Sequence, residues 1–281
     1  MPVLIAGANG QLGLSLQSVL PKNSIAADRE VMDITDYDKV ASVLKTLRPS
    51  CVINAAAYTA VDKAEDEPTA AFTVNAAGAG NLARATYGLG VPLIHISTDY
   101  VFDGHSKSPY HAKHYTNPRS VYGKSKLAGE NMVSTLNPRH FIVRTAWLYG
   151  HDRPNFVLKM LELSKTQPKL RVVNDQIGSP TYVPHLAGII ARMVSDLTYD
   201  PELVRPGVYH LAGEGQASWY ELTTYLFEQL GITTPVVAIE TAQFPTRAAR
   251  PAYSVLSQNP PYMLPHWKQG VSDFMKGLSH E

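Results

Sequence analysis

Short apolar runs alternate with stretches of helical spacing through the first half of the chain. Val3–Ala6 is an apolar run of strand length that ends in glycine, and residues 11–20 follow with helical spacing. Ile25–Ala27 predicts a second strand. Over Asp36–Leu47 the apolar residues Val40, Val43, Leu44 and Leu47 line one helix face. Cys51–Ala55 predicts a third strand, Pro68–Leu89 a long Ala-rich helix, and Leu93–Ser97 a fourth strand ending at Thr98. A helix reaching to about Leu136 and a strand at His140–Arg144 complete the series. Such alternation predicts a parallel sheet covered on both faces. Beyond residue 150 proline becomes more frequent. Asn155–Ser164 and Val183–Asp196 read as helices, Val172–Val173 and Val208–His210 as strands. Ser218–Leu230 opens with Ser218 and Glu221 at capping-box spacing.

The expected fold class is therefore α/β, a doubly wound parallel Rossmann sheet over residues 1–150. Residues 151–281 are expected to form mainly a smaller α/β substrate lobe whose segments interleave with the core. A chain of 281 residues with 44% hydrophobic and 17% charged residues builds a sizeable buried core. A net charge of +1 argues against a basic surface for nucleic acid. The single cysteine, Cys51, excludes an intramolecular disulfide and a multi-cysteine zinc site, and its place at a strand start suits a buried thiol. No His/Asp/Glu cluster has metal-ligand spacing. The N-terminus lacks a basic leader, and no apolar run approaches the ~20 residues of a membrane helix. A cytoplasmic location without membrane contact is the expectation.

Gly7-Ala8-Asn9-Gly10-Gln11-Leu12-Gly13 follows the first strand and opens the first helix. In that context the glycines permit a tight turn whose N–H groups approach a dinucleotide pyrophosphate. Asp28 closes the second strand, 15 residues beyond Gly13, where a carboxylate reaches the adenosine ribose hydroxyls. Arg29 beside it would instead meet a 2′-phosphate, so NADH and NADPH both stay open. Asp33 and Ile34 are placed near the adenine, ordinary turn chemistry being the alternative for Asp28 and Asp33. The small residues of Asn54-Ala55-Ala56-Ala57-Tyr58-Thr59 end the third strand and let a cofactor lie against the backbone.

Tyr122 and Lys126 lie four positions apart on one helix face, and Thr98 ends the fourth strand. A hydroxyl, a phenol and an ammonium form a proton-relay set. The ammonium is expected to lower the phenol's pKa toward the working range of a general acid. His95, inside a strand, reads as a core histidine.

These motifs resemble those of the extended short-chain dehydrogenase/reductase family over nearly the whole chain. The resemblance is carried by Gly7–Gly13, Asn54–Glu65, Ser97–Phe102, Tyr122–Glu130, Arg144–Tyr149, Asn174–Thr181, and Arg250-Pro251 with Ser254. It is greatest for the branch that acts on dTDP-linked deoxyhexoses. It implies NADPH- or NADH-dependent reduction of the C4 keto group of dTDP-4-dehydro-L-rhamnose, with Tyr122 as proton donor. It implies further that Lys126 lowers the phenol pKa and holds the nicotinamide ribose, and that Thr98 fixes the substrate oxygen. Gly10, Gln11 and Leu12 would line the pyrophosphate, and Ala57, Tyr58 and Thr59 would approach the cofactor. Tyr100, Val101 and Trp147 would contact the sugar, Arg250 the nucleotide diphosphate, and Gln176 and Thr181 would help close the pocket.

Gly150-His-Asp-Arg-Pro-Asn155 departs from the family's pattern, and Ser257 stands where an acidic residue often follows Ser-Val-Leu. A reductase or epimerase of another nucleotide sugar remains an alternative. So does a non-catalytic NADP-binding regulatory subunit resembling methionine adenosyltransferase β. A homodimer is compatible with every reading.

Overall fold

In the computed structural model, which describes residues 1–278, the first half alternates as its apolar pattern dictates. The elements are β1 (Val3–Ala6), α1 (Gln11–Val19), β2 (Ile25–Ala27), α2 (Tyr37–Leu47) and β3 (Cys51–Asn54). A short α3 (Val61–Ala64) precedes α4 (Pro68–Phe72), which runs through a π-helical stretch, Thr73–Gly78, into α5 (Ala79–Gly88). Then come β4 (Leu93–Thr98), a single 3₁₀ turn (Asp99–Val101), α6 (Val121–Leu136) and β5 (His140–Thr145). The second half contributes β6 (Leu148–Tyr149), α7 (Phe156–Ser164), β7 (Leu170–Val173), β8 (Ile177–Gly178), β9 (Thr181–Tyr182) and α8 (Val183–Tyr199). It continues with β10 (Gly207–His210), β11 (Ala217–Ser218), α9 (Trp219–Leu230), β12 (Val236–Ile239) and α10 (Trp267–Leu278).

Local chemistry sets several of these boundaries. Asp36 caps α2 by accepting from the Lys39 N–H, and Ser120 caps α6 by accepting from the Gly123 N–H at 3.1 Å. At α9 the Ser218/Glu221 capping box forms in both directions.

Six parallel strands form the main sheet in the order β10-β5-β4-β3-β1-β2. All four residues of β1 are buried, because both faces of the sheet are covered. On one face Val3, Ile5, Ile53 and Val143 pack with Leu12 and Leu16 of α1 and Leu186, Ile190 and Met193 of α8. On the other, Leu4, Val52 and Ile142 pack with Leu44 of α2, Leu82 of α5 and Val133 of α6. The chain thus returns to the core after residue 150, through α8 and through β10 beside β5. A third cluster, with Tyr149, Val157, Leu226, Trp267 and Phe274, forms the interior of a lobe on small two-stranded pairings. Strand order reverses between β1 and β3, so the crevice for a ligand opens at their carboxyl ends. No helix among the described residues is long and apolar enough to cross a membrane.

Candidate active site

The glycine turn sits in that crevice. Gly7 has φ 76°, and a Cβ there would stand 2.5 Å from the Ala56 backbone nitrogen, so only glycine lets the β1 and β3 ends come this close. A Cβ on Gly13 would collide with the Gly7 carbonyl oxygen. Gly10 stands at the N-cap of α1 with no side chain to cap it. The first-turn N–H groups therefore point outward as donors. Gln11 Nε2 is buried and without a partner. Unfilled backbone donors beside an orphaned amide suit a dinucleotide diphosphate.

Asp28 accepts from the Val31 and Glu30 N–H groups at Oδ1, both at 3.0 Å, and from Asn9 Nδ2 at Oδ2, 3.1 Å. The Val31 N–H chiefly, against some desolvation, holds its carboxyl below the usual range, so it is ionised at neutral pH. Arg29 turns away to Asp33 at 3.0 Å, with 86% of its side chain exposed. That pair is weak and easily broken. Asp33 also accepts from the Thr35 N–H and hydroxyl, the turn chemistry weighed for it. Ile34 is buried, its side chain against Gly78 and its carbonyl accepting from Asn81.

At the end of β3, the Tyr58 N–H donates to Asn75 Oδ1 at 2.8 Å, and Asn75 Nδ2 donates to the Tyr58 carbonyl and to Ser125 Oγ. Asn75 is buried in the π-helical stretch, where the widened turn carries its amide across to α6. It ties the loop of Ala57, Tyr58 and Thr59 to the helix of Tyr122. The Tyr58 phenol itself points to Glu67 Oε2 at 2.8 Å. Asn75 had no motif spacing to mark it in sequence, only its place in an Ala-rich helix.

The Thr98 hydroxyl lies near the Tyr122 phenol, and Thr98 Oγ1 donates to Asp99 Oδ1 at 3.0 Å. Burial pushes the Asp99 carboxyl up to about 6. The expectation for the phenol is corrected. Desolvation raises the Tyr122 pKa, the nearby Thr98 hydroxyl opposes this, and Asp99 and Tyr100 add to it. Lys126 is spent elsewhere, donating to the Ile96 carbonyl at 2.6 Å. Burial pushes Lys126 down to about 8, and Glu130, one turn on, partly offsets this. Glu130 is in turn clamped by Arg144, Nε to Oε1 at 2.9 Å and Nη2 to Oε2 at 2.6 Å, with Ser97 Oγ donating to Oε1 at 2.5 Å. This buried bidentate pair was not foreseen, because the packing of α6 on β5 rather than sequence spacing brings its members together. His95 is a core side chain, bonded to Asn54 at 3.0 Å and held well below its ordinary pKa by burial. The Cys51 thiol is likewise buried and pushed up to about 12.

From the lobe, Arg250 reaches Tyr100 Oη at 3.1 Å and Asp62 Oδ2 at 2.5 Å, and the Tyr100 ring meets Tyr122 edge-on at 5.6 Å. Arg250 and Tyr100 thus stand beside the phenol. Trp147 sits at φ 48°, a left-handed conformation that costs a bulky residue on the order of 1–3 kcal/mol. Its indole stacks on Trp219 at 3.4 Å, 4° from parallel, so one face is already covered. A Cβ on Gly178 would collide with the same indole. Gln176 holds the arrangement, accepting from Trp219 Nε1 at 3.2 Å and donating to Thr241. Two of the residues expected to line the pocket have buried side chains. The Val101 side chain is fully buried with Phe102, Tyr110 and Leu256, with no surface left for a sugar. Thr181 is also fully buried, its hydroxyl donating to the Ser179 carbonyl and accepting from the Gly213 N–H.

Comparison with known proteins agrees with this geometry. The RmlD substrate binding domain family matches residues 1–280. The dTDP-4-dehydrorhamnose reductase of Aggregatibacter actinomycetemcomitans is 42% identical over 264 residues, 90% of each chain. The spore coat polysaccharide biosynthesis protein SpsK of Bacillus subtilis is 37% identical over 99% of this chain and 98% of its own. The crystal structure of dTDP-4-dehydrorhamnose reductase from Bacillus anthracis in complex with NADP superposes with a TM-score of 0.93 at 39% identity, covering 99% of this chain and 100% of that one. With a family match across nearly its full length and relatives this similar, the chain belongs to the RmlD substrate binding domain family.

Proposed function

We propose that the protein reduces the C4 keto group of dTDP-4-dehydro-L-rhamnose to give dTDP-L-rhamnose, with NADPH or NADH as the reductant. The observation that carries this reading is the placing of Tyr122 and Lys126 on α6 beside Thr98 at the carboxyl end of β4, with the glycine turn in the same crevice. Relatives named for this reaction match across nearly the full chain. A bound nicotinamide supplies the hydride.

The chain's own residues do the rest. Gly10, Gln11 and Leu12 present backbone donors to the pyrophosphate, and Gly7 and Gly13 leave it room. Asp28 accepts from the adenosine ribose hydroxyls, with Ala57, Tyr58 and Thr59 along the opposite wall. Tyr122 gives its proton to the C4 oxygen as negative charge develops there. Thr98 holds that oxygen in line. The high intrinsic pKa of Tyr122 keeps it protonated before the reaction, and Lys126, one turn on along the same helix, holds the nicotinamide ribose. Tyr100 and the Trp147–Trp219 pair flank the sugar, with Gln176 holding Trp219 in place. Arg250, already turned toward the phenol, exchanges Asp62 for the nucleotide diphosphate. On this reading residues 1–150 carry the cofactor and 151–281 mainly the substrate.

The test is loss of nicotinamide absorbance on adding dTDP-4-dehydro-L-rhamnose made in situ. Rapid turnover to dTDP-L-rhamnose is expected. Tight cofactor binding with no turnover would redirect the site to another nucleotide sugar or to a regulatory role.

A further inference from the structure

The loop from Gly150 to Asn155 joins β6 to α7 and reaches across to the glycine turn. Arg153 Nε donates to the Asn9 carbonyl oxygen at 3.0 Å, over 144 positions of sequence. The loop is held in shape for this contact. Asn155 Nδ2 donates to the Gly150 and Arg153 carbonyls at 2.8 and 2.9 Å, while its Oδ1 caps α7 through the Leu158 N–H. His151 stacks on Phe274 of α10 at 4.3 Å and 10°. Arg153 is therefore presented from a braced turn.

Charge defines what it is presented to. The amides of the glycine turn carry only partial charges, and Asp28, linked to the turn through Asn9 Nδ2, adds a full negative one. Arg29 pairs loosely with Asp33, Lys126 donates to the Ile96 carbonyl and Arg250 pairs with Asp62, and none of these contacts is to the turn. Among the described residues, Arg153 is the cation bonded to the turn, and its two terminal amino groups have no protein acceptor. A guanidinium with one edge anchored and the other open matches the bidentate geometry of a phosphate.

We propose that Arg153 is a binding residue for a phosphate of the dinucleotide, extended to it from the lobe. The proposal rests on the cofactor reading above. The phosphate is either the pyrophosphate at the turn or the 2′-phosphate beside Asp28, and cofactor choice separates the two.

Kd for NADPH and for NADH is measured by fluorescence of the binary complex, without sugar, at low and high salt, for the wild type, Arg153→Ala and Arg153→Lys. Loss of about tenfold for both nucleotides in Arg153→Ala, with part of it restored by Arg153→Lys, assigns the pyrophosphate. Loss for NADPH alone assigns the 2′-phosphate. In either case the variant's affinity depends less on salt than the wild type's. Unchanged Kd for both nucleotides overturns the proposal. So does an equal loss that lysine fails to restore and salt fails to modulate, which marks a structural tie between Arg153 and Asn9. A wild type that binds neither nucleotide removes the cofactor reading and this proposal with it, whereas bound cofactor without sugar turnover leaves Arg153 standing.

Discussion

The two walls of the cleft are built differently. The core wall is strand ends and buried polar groups in fixed pairs: Asn54 with His95, Asn75 with Tyr58 and Ser125, Glu130 with Arg144 and Ser97. The lobe wall is made mainly of loops whose contacts are stacked rings and partly exposed guanidinium bonds: Trp147 on Trp219 of α9, Arg250 on Asp62, Arg153 on the Asn9 carbonyl. Buried hydrogen-bonded networks hold a reacting group within tenths of an ångström. Half-exposed guanidiniums exchange one anionic or carbonyl partner for another at little cost. The core wall is thus suited to chemistry and the lobe wall to capture, and substitutions on each side separate the two.

The largest effect is expected at the phenol. Tyr122→Phe lowers kcat by about 10²–10⁴-fold, the usual contribution of a general acid, with the cofactor Kd close to that of the wild type. Single-turnover kinetics with nucleotide titration checks both.

Next comes the buried pair. Glu130→Ala leaves Arg144 charged and unpaired in the core, destabilising the fold by about 3–5 kcal/mol in denaturant titration. A much smaller loss would mean that water reaches Arg144.

On the lobe wall the effects are milder and of another kind. Trp219→Ala removes the support of Trp147 and raises the sugar KM by roughly tenfold with kcat little changed, since an aromatic pair contributes about 0.5–1.5 kcal/mol beyond its buried area. A fall in kcat at constant KM would move Trp147 to the chemical side of the comparison. At the cofactor end of the core wall, Asp28→Ala weakens NADH more than NADPH, by a few-fold, because NADPH places its 2′-phosphate where the lost hydrogen bond was made. An equal effect on both discards Asp28 as the ribose ligand.

The smallest effect is a shift in pH dependence. Lys126 is charged below about pH 8 and neutral above it, so turnover falls as pH rises through that value. Glu130→Gln removes the negative neighbour that supports the ammonium and moves this limb to lower pH. An unmoved limb in a folded variant would dissociate Glu130 from Lys126.

The core wall was largely legible in the sequence and the lobe wall was not. Alternating apolar runs placed β1 to β5 within a residue or so of their ends, because parallel strands buried on both faces must read that way. Tyr122 and Lys126 were visible because a helix fixes what four positions mean. The two-residue strands β6, β8, β9 and β11 are too short to show any period. The Arg250–Asp62 and Arg153–Asn9 contacts span 188 and 144 positions and depend on tertiary packing alone. The burial of Val101 and Thr181 was hidden for a related reason. Membership of a motif puts a residue near a pocket without saying which way its side chain turns. The direction of the Tyr122 pKa was misjudged because helical spacing put an ammonium one turn away without showing how deeply the phenol is buried.

The central claim is reduction of a sugar ketone at C4, and one labelling measurement addresses it. The protein is given dTDP-4-dehydro-L-rhamnose and a nicotinamide cofactor dideuterated at its own C4, and the product is examined by NMR. Deuterium at C4 of dTDP-L-rhamnose, one per cofactor consumed, is the predicted result. Deuterium at another carbon, or an unchanged sugar beside a tightly bound cofactor, would contradict it.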